Sequence, residues 1–588
     1  MLDLLSRPWV WRRKSSPLFR GALGLPVLAW RGVQNPAISR AAPERDVPHA
    51  RRVRRARRAA LRATCVPTGL LSPTPRDFLP HTCHPGFMYR IHTRSTPPTW
   101  LSLDNSLLTP LRKCFTLEKM YAGSREEPPS LPKAAQGGIT MNQMHAVRIG
   151  VLGCGTVGGG VVRVLAENHD DIARKLGVPI VVKKVLVNDV AKPRSVRLEP
   201  HMLTTEAREV LEDDEIDVVV EVMGGVNPAR EYVLSALARG KHVVTANKEL
   251  VAKHGGEIWE MAERTRVAFR FEGSVAAGIP IIKALDECLA SNRISEISGI
   301  VNGTTNYILT RMAREGWEFE EALADAQQKG YAERDPSSDV DGLDAAYKLA
   351  ILASVGFGVE VDPAQVYTEG IGRVSKTDIQ YARELGYEIK LLAIAKLDGE
   401  GLQVRVHPTF VPTWHPLASV SDSFNAIFVR GNAVGSLMFY GRGAGAGPTA
   451  SAVIADIMDV ARGLSHNGRH YRPEVFKPWG GRLNVKRMED IETRYYIRLQ
   501  VVDRPGVLAM IAKAFGDNHV SLESVIQKGT GSPVVGLVFI THFVKEMNLR
   551  SALASIRTLP VVKEVSSVIR VEAGGIQASG QGEDAAER

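Results

Sequence analysis

Ala146–Leu165 reads AVRIGVLGCGTVGGGVVRVL. A β-branched apolar run, Val147 to Leu152, ends in glycines, and an apolar-faced helical pattern follows. The stretch therefore predicts strand, tight turn and helix. Gly153-Cys154-Gly155-Thr156-Val157-Gly158 fits G-x-G-x-x-G. In such a turn the first glycine bends the chain, the second lets backbone approach a pyrophosphate, and the third lets helix and strand pack closely. The helix N-terminus then turns its N–H groups and positive dipole end toward the phosphates. A purely structural glycine turn is the plainer alternative; the strand before and the helix after favour a dinucleotide site.

The same unit repeats downstream. VVKKVLVND (Val181 to Asp189) is a second strand, IDVVVEVMGG (Ile216 to Gly225) a third, and KHVVTANK (Lys241 to Lys248) a fourth, with the helix NPAREYVLSALARG closed by Gly240 between the last two. Alternating strands and helices predict a parallel, doubly wound Rossmann-type sheet. Functional loops then lie at the carboxyl ends of its strands, where Gly224, Gly225, Ala246, Asn247 and Lys248 fall. Asn188, Asp189, Lys192 and Arg194 follow the second strand, at the adenosine ribose. An acidic residue there suits NAD and a positive charge suits NADP, so the choice stays open.

The chemistry concentrates in Ala326–Lys348, AQQKGYAERDPSSDVDGLDAAYK. It carries Glu333, Asp335, Asp339, Asp341 and Asp344 and ends in a lysine. Asp344 and Lys348, at i and i+4, leave one face of a predicted helix, and the earlier carboxylates fall on a loop leading into it. A lysine beside fixed carboxylates can move a proton, and carboxylates can hold an ammonium group. An exposed ion pair beside an acidic turn is the bland alternative. The ordered pattern A-x3-G-Y-A-x2-D-P-x2-D-V-x-G-x-D-x3-K resembles the homoserine dehydrogenase signature at every fixed position.

That resemblance extends over roughly Met144 to Glu572 and implies site residues throughout. Lys348 and Lys248, the latter in Thr-Ala-Asn-Lys, are the implied catalytic pair. Glu333, Asp339 and Asp344 are implied at the substrate ammonium, Asn302 of NGTTN along the substrate pocket, and His415 of His-Pro-Leu-Ala as a secondary contact. A loop histidine such as His407 or His415 is otherwise more often structural, and Thr304 or Thr305 would serve as a helix N-cap. The loop FEGSVAAGI is a tight strand-to-helix turn on its residue types alone. The resemblance implies a structural monovalent cation, Na⁺, held there by backbone oxygens of Glu272, Val275, Ala277 and Ile279. Gly443 and Gly445, in GRGAGAG, are implied to reach the cofactor together with Gly153, Gly155, Thr156, Val157, Gly158, Asn188, Lys192, Arg194, Gly224 and Lys248. Where the family often has Arg-Asp, this chain has Asn188-Asp189.

From Arg494 a βαββαβ order over about 80 residues is ferredoxin-like. Asp503-Arg504-Pro505-Gly506-Val507-Leu508 resembles the start of an ACT domain. The family implication is dimerisation and feedback by an amino acid, threonine first; a structural dimerisation domain is the alternative. The expected organisation is an extension over 1–140, an NAD(P)-binding Rossmann domain over 144–275, and an α+β substrate and dimerisation domain over 276–470 that returns to the nucleotide domain near 440–465. A linker over 471–493, an ACT domain over 494–573 and a disordered tail over 574–588 follow.

Composition narrows the classes. Of 74 Lys+Arg and 64 Asp+Glu, residues 1–140 hold 23 and 8, so the extension carries +15 and the remainder −5. A nucleic-acid role therefore concerns only the extension, whose Arg51–Arg62 run RRVRRARRAALR also fits a targeting peptide or translated upstream sequence; the last is preferred, with Met141 as the start. Five scattered cysteines without CxxC argue for a reducing, cytoplasmic setting and against zinc or a disulfide framework. No apolar run approaches the ~20 residues of a membrane span. The expected enzyme is an NAD(P)H-dependent homodimer or homotetramer that reduces L-aspartate 4-semialdehyde to L-homoserine. A semialdehyde enzyme acylating a cysteine would need Cys154 or Cys288 as nucleophile, and neither position suits. A non-catalytic amino-acid and nucleotide sensor is the remaining rival, and the intact Lys348 signature speaks against it.

Overall fold

The computed structural model describes residues 146–465, 479–481, 483–528 and 532–572. The expectations for residues 1–140, for 574–588 and for 466–478 lie outside the described residues. The first sheet comprises β1 (Val147–Leu152), β2 (Ile180–Leu186), β3 (Leu203–Thr204), β4 (Val218–Glu221), β5 (His242–Thr245) and β6 (Phe269–Arg270), in the order β3-β2-β1-β4-β5-β6. Every pairing is parallel. Such a sheet is covered on both faces, which is why β1, β4 and β5 read as continuous apolar runs. The order reverses beside β1, so the crevice at its carboxyl end is where a dinucleotide fits.

The second sheet has eleven strands. They are β7 (Ile294–Ile300), β8 (Tyr367–Thr368), β9 (Tyr387–Asp398), β10 (Gly401–Pro412), β11 (Phe424–Gly431), β12 (Gly435–Arg442), β13 (Glu492–Val502), β14 (Leu522–Lys528), β15 (Val534–Thr541), β16 (Val544–Lys545) and β17 (Val562–Val571). Nine follow the path β12-β11-β7-β9-β10-β17-β13-β15-β14, while β8 joins β10 and β16 joins β13. The C-terminal unit has the expected βαββαβ order, with a core of its own around Tyr495, Phe515 and Phe539. Its last strand runs parallel to β10, Thr409 opposite Arg570 and Phe410 opposite Val571, so the C-terminal sheet and the substrate-side sheet are continuous.

The stretch read as a linker is partly built into the fold. Trp479 packs at a tilt against Trp259 and Phe271, with centroids 5.8 and 5.7 Å away, over Gly255. Val485 bridges to Leu402, and Lys486 reaches Asp398 at 3.0 Å. The glycine loop after β12 is shaped by packing as well. A Cβ on Gly443 would fall 1.1 Å from Asn425 Oδ1, and one on Gly160 would fall 2.5 Å from the Ala446 carbonyl oxygen. The loop thus rests against the helix Thr156–Glu167 that follows the phosphate turn. Gly443→Ala is expected to lower unfolding free energy by about 1–3 kcal/mol, the usual effect of overpacking a close contact. Denaturant titration checks it, and an unchanged midpoint would contradict the contact.

Candidate active site

Two helices from different parts of the fold converge on one carboxylate. Leu343–Phe357 starts from Gly342, whose φ is 85°, and carries Asp344 and Lys348 on one buried face. Lys348 Nζ donates to Asp344 Oδ2 at 2.6 Å and to the Val301 carbonyl at the end of β7 at 2.8 Å. The other helix, Lys248–Thr265, begins at the end of β5 with Asn247 as N-cap, its side chain accepting from Leu250 N–H. Lys248 Nζ lies 3.0 Å from Asp344 Oδ1. Asp344 therefore separates two ammonium groups, one oxygen to each. Burial by itself pushes the Asp344 carboxyl up, but the charges of Lys348 and Lys248 and the hydrogen bonds from Lys348 and Asn302 outweigh it and hold it at about 2. The Asp344 charge in turn raises the Lys248 ammonium above its ordinary value against the opposing effect of burial.

Asn302 joins Asp344 to a second carboxylate, Asp339. Its Nδ2 donates to Asp344 Oδ2 at 2.9 Å and to Asp339 Oδ1 at 2.7 Å, while its Oδ1 accepts from Thr305 N–H at 2.8 Å. Asn302 is thus the N-cap of Gly303–Glu315, where Thr304 or Thr305 had been expected. Both amide protons are used on the aspartates, so the side chain orients them and has no donor left for a substrate. Thr304 Oγ1 instead donates to the Tyr331 carbonyl at 2.7 Å and ties this helix to the signature loop. The carboxylates before Asp344 do not all lie on a loop, because Ser337–Val340 forms one helical turn.

Lys348, Lys248, Asp344, Asn302 and Asp339 thus come together. Glu333 and His415 do not join them. Glu333 is exposed, on a segment whose carbonyl accepts from Gln327 Nε2 at 3.1 Å. His415 faces the other side of the sheet. Along β9, Leu391, Ala393 and Ala395 pack in the core that includes Leu349 and Leu352, whereas Leu392 and Ile394 pack with Leu417 and Phe428 on the opposite face. The His415 ring is 5.1 Å from Phe428, and its Nδ1 accepts from Leu417 N–H at 3.2 Å. It therefore caps a local turn away from the lysines, correcting the expected substrate contact. His407 belongs to strand β10, not to a loop, and is buried between Arg405 and Thr409.

A cleft of about 880 Å³ opens at the carboxyl end of β1, lined among others by Gly153, Gly155, Thr156, Asn188, Lys192, Arg194 and Gly224. A Cβ on Gly158 would meet the Gly153 carbonyl oxygen at 2.1 Å, so the turn requires glycine there, and helix and strand approach as a pyrophosphate cradle demands. Gly443 and Gly445 are not among the residues lining this cleft; they shape the loop resting on the helix behind it. Arg194 donates to the carbonyls of Val190, at 3.0 Å, Lys192, at 2.8 Å, and Asp189, so it stiffens its own loop. Cys154 is half-buried, and burial pushes its thiol up against a smaller opposing effect of Arg194; Cys288 is exposed. Neither has the electropositive setting of a nucleophile.

One contributor escaped the sequence reading. Glu221, at the end of β4, is buried and accepts from Thr245 Oγ1 at 2.6 Å and Met223 N–H at 2.8 Å. Asn247 Nδ2 donates to the Gly225 carbonyl at 2.6 Å. This network sets the loop that ends in Lys248. The signal was a lone carboxylate within VVVEVMGG.

Known proteins match along the described chain. A family model for the homoserine dehydrogenase NAD-binding domain covers residues 153–272, one for homoserine dehydrogenase covers 280–458, and one for the ACT domain covers 495–561. A homoserine dehydrogenase of a Synechocystis species is 48% identical over 431 residues, 72% of this chain and 99% of the relative; that of Bacillus subtilis is 43% identical over 437 residues, 74% and 100%. The chain belongs to the homoserine dehydrogenase family. It is an NAD(P)-binding oxidoreductase with an appended ACT domain. A crystal structure of a homoserine dehydrogenase from Thiobacillus denitrificans matches with a TM-score of 0.68 at 43% identity, covering 73% of this chain and 98% of that one. One from S. aureus matches with 0.59 at 34% identity, covering 73% and 99%. Among the described residues no helix is long and apolar enough to cross a membrane.

The depressed Asp344 has a consequence for stability. Its folded value, about 2, lies below the ~3.9 of an unfolded aspartate, so the carboxylate stabilises the fold above that range. This contribution, about 2–3 kcal/mol, is lost as pH falls toward 2. Wild-type unfolding free energy should therefore drop more steeply between pH 5 and pH 2.5 than that of Asp344→Asn. Equal slopes would show that the two lysines do not hold the carboxylate ionised.

Proposed function

We propose that the enzyme reduces L-aspartate 4-semialdehyde to L-homoserine, reversibly, with Lys348 as general acid and Lys248 as the cation that polarises the aldehyde oxygen. The observation that carries this reading is the Asp344 bridge between the two lysines. An ammonium has three protons, and Lys348 commits two of them, to Asp344 and to Val301. The third has no partner among the described residues and is the one for the substrate oxygen. A nicotinamide dinucleotide held at Gly153, Gly155 and Thr156 would supply the hydride for the aldehyde carbon. The oxygen then takes its proton from Lys348, and the alcohol results. Lys248, kept charged by Asp344, stabilises negative charge developing on that oxygen. Asp339, at the outer end of the Asn302 link, receives the substrate ammonium.

NADP(H) is the proposed cofactor. Asp189 turns its carboxylate to its own loop, accepting Ala191 N–H at 2.8 Å, and the cleft wall there presents neutral Asn188 with Lys192. A structural monovalent cation, Na⁺, is proposed in the buried loop 272–279. Ala276 has a φ of 47°, and the buried carbonyls of Val275 and Ala277 accept no hydrogen bond among the described residues, although that of Ile279 accepts from Ile281 N–H at 2.8 Å. With the carbonyl of Glu272 they would supply oxygen ligands for a hard cation. We further propose a cytoplasmic homodimer or homotetramer serving threonine, methionine and isoleucine synthesis, with threonine as the ACT-domain effector.

Aldehyde-dependent oxidation of NADPH by the full chain tests the reaction. Lys348→Ala should lower turnover by about 10²–10⁴-fold with NADPH binding retained; wild-type turnover in that variant would remove Lys348 from its role. Lys192→Ala should raise KM for NADPH by about tenfold, the effect of losing one charge-assisted contact, and leave KM for NADH little changed. Equal effects on both cofactors would point away from the 2′-phosphate.

A further inference from the structure

The turn that carries Asp339 rests on a segment whose two ends are held by the C-terminal sheet. Ile371 N–H donates to the Val340 carbonyl at 2.9 Å. Gly370 lies so close that a Cβ there would sit 2.3 Å from the Val340 carbonyl oxygen and 2.6 Å from Asp341 Cα. Before this contact, Glu369 Oε2 accepts from Arg570 Nη1 of β17 at 2.8 Å and from the Tyr367 hydroxyl at 3.2 Å. After it, Ser375 caps the helix Lys376–Glu384, and Asp378 in that helix is fully buried. Asp378 accepts from Arg498 Nε at 2.8 Å, Arg498 Nη2 at 3.3 Å, the Tyr496 hydroxyl at 3.0 Å and Ser375 Oγ at 2.6 Å. Tyr496 and Arg498 stand on the face of β13 opposite Tyr495 and Ile497, which fill the C-terminal unit's own core. Residues 369–378 are therefore held at one end by the half-buried Glu369–Arg570 pair and at the other by the buried Asp378–Arg498 pair, and touch the backbone beside Asp339 in between.

We propose that Asp378 and Glu369 are positioning residues for the reaction: pinned by Arg498, Tyr496 and Arg570, they fix Gly370 and Ile371 against Val340 and so set the place of Asp339. The C-terminal domain thereby tunes affinity for the amino-aldehyde and not for the dinucleotide, since no residue of 369–378 lines the nucleotide cleft. This rests on the reading of Asp339 as the group that receives the substrate ammonium. A stability-only role is the competing account, and a buried ion pair is weak evidence for stability because desolvation offsets much of its attraction.

The test uses the full chain and compares Arg498→Met, Gly370→Ala and the double variant by steady-state kinetics and thermal unfolding. Arg498→Met releases one end of the segment, and Gly370→Ala pushes the turn directly. Each single change should raise KM for aspartate semialdehyde by about two- to thirty-fold, the range of coupling changes along such paths, and leave KM for NADPH unchanged. Because both act through one segment, the double variant should fall short of the product of the two effects. An unchanged aldehyde KM in folded Arg498→Met, a parallel rise in both KM values, or a simple product in the double variant would overturn the proposal. Where Arg498→Met does not fold, Glu369→Gln, which keeps the side-chain shape and removes the charge facing Arg570, is read by the same outcomes. Asp339→Asn assayed alongside separates the two layers of the argument. If it leaves the aldehyde KM unchanged while Arg498→Met raises it, Asp339 is not the receiving group, and the effect of 369–378 on aldehyde binding runs through the turn and not through that carboxylate.

Discussion

A single carboxylate between two ammonium groups is the constraint around which the site is built. Without Asp344, Lys248 and Lys348 would face each other and disfavour each other's charge. With it, both are held, one per oxygen, and Asp344 Oδ2 also accepts from Asn302. The cluster also joins two sheets. Lys248 starts the helix after β5 of the first, while Val301 and Asn302 follow β7 of the second. Lys248 stands at a strand end and helix start and Lys348 in the second turn of its helix, so both are fixed on rigid elements, where small displacements would otherwise dissipate the advantage of a preorganised cation.

The first sheet was legible because its signals are local. A parallel sheet covered on both faces needs apolar strands, tight turns and helices in sequence, and VRIGVL, VVVE and HVVT advertise themselves. The Asp344–Lys348 pair was legible for the same reason, since i and i+4 on a helix share a face whatever surrounds them. Helix starts were harder to assign. NGTT offers three residues able to cap, and Asn302 takes the place because its amide can also bridge two aspartates, which only tertiary packing could reveal.

His415 and β17 show where local reading stops. A histidine in a proline-rich loop says nothing of which sheet face it meets, and the alternation along β9 decides that. The parallel pairing of β17 with β10 joins residues separated by more than a hundred positions, and nothing within either strand encodes its partner. Similarly, Trp479 sits in a stretch whose proline and glycine content suggests a flexible connection, yet its ring is held between Trp259 and Phe271.

The continuity of the second sheet changes what an appended C-terminal domain can do. Two domains joined only by a tether can move without strain, and neither transmits displacement to the other. Here the C-terminal unit shares ladder hydrogen bonds with β10, and its β13 face closes over Asp378. Packed interfaces of this kind tend to occupy discrete arrangements instead of deforming smoothly, because close packing leaves no slack to absorb a shift. Any ligand that prefers one arrangement of the C-terminal sheet must then favour one arrangement of the segment beneath it. That segment touches the backbone beside Asp339, whose carboxylate is tied through Asn302 to the same aspartate that holds both lysines.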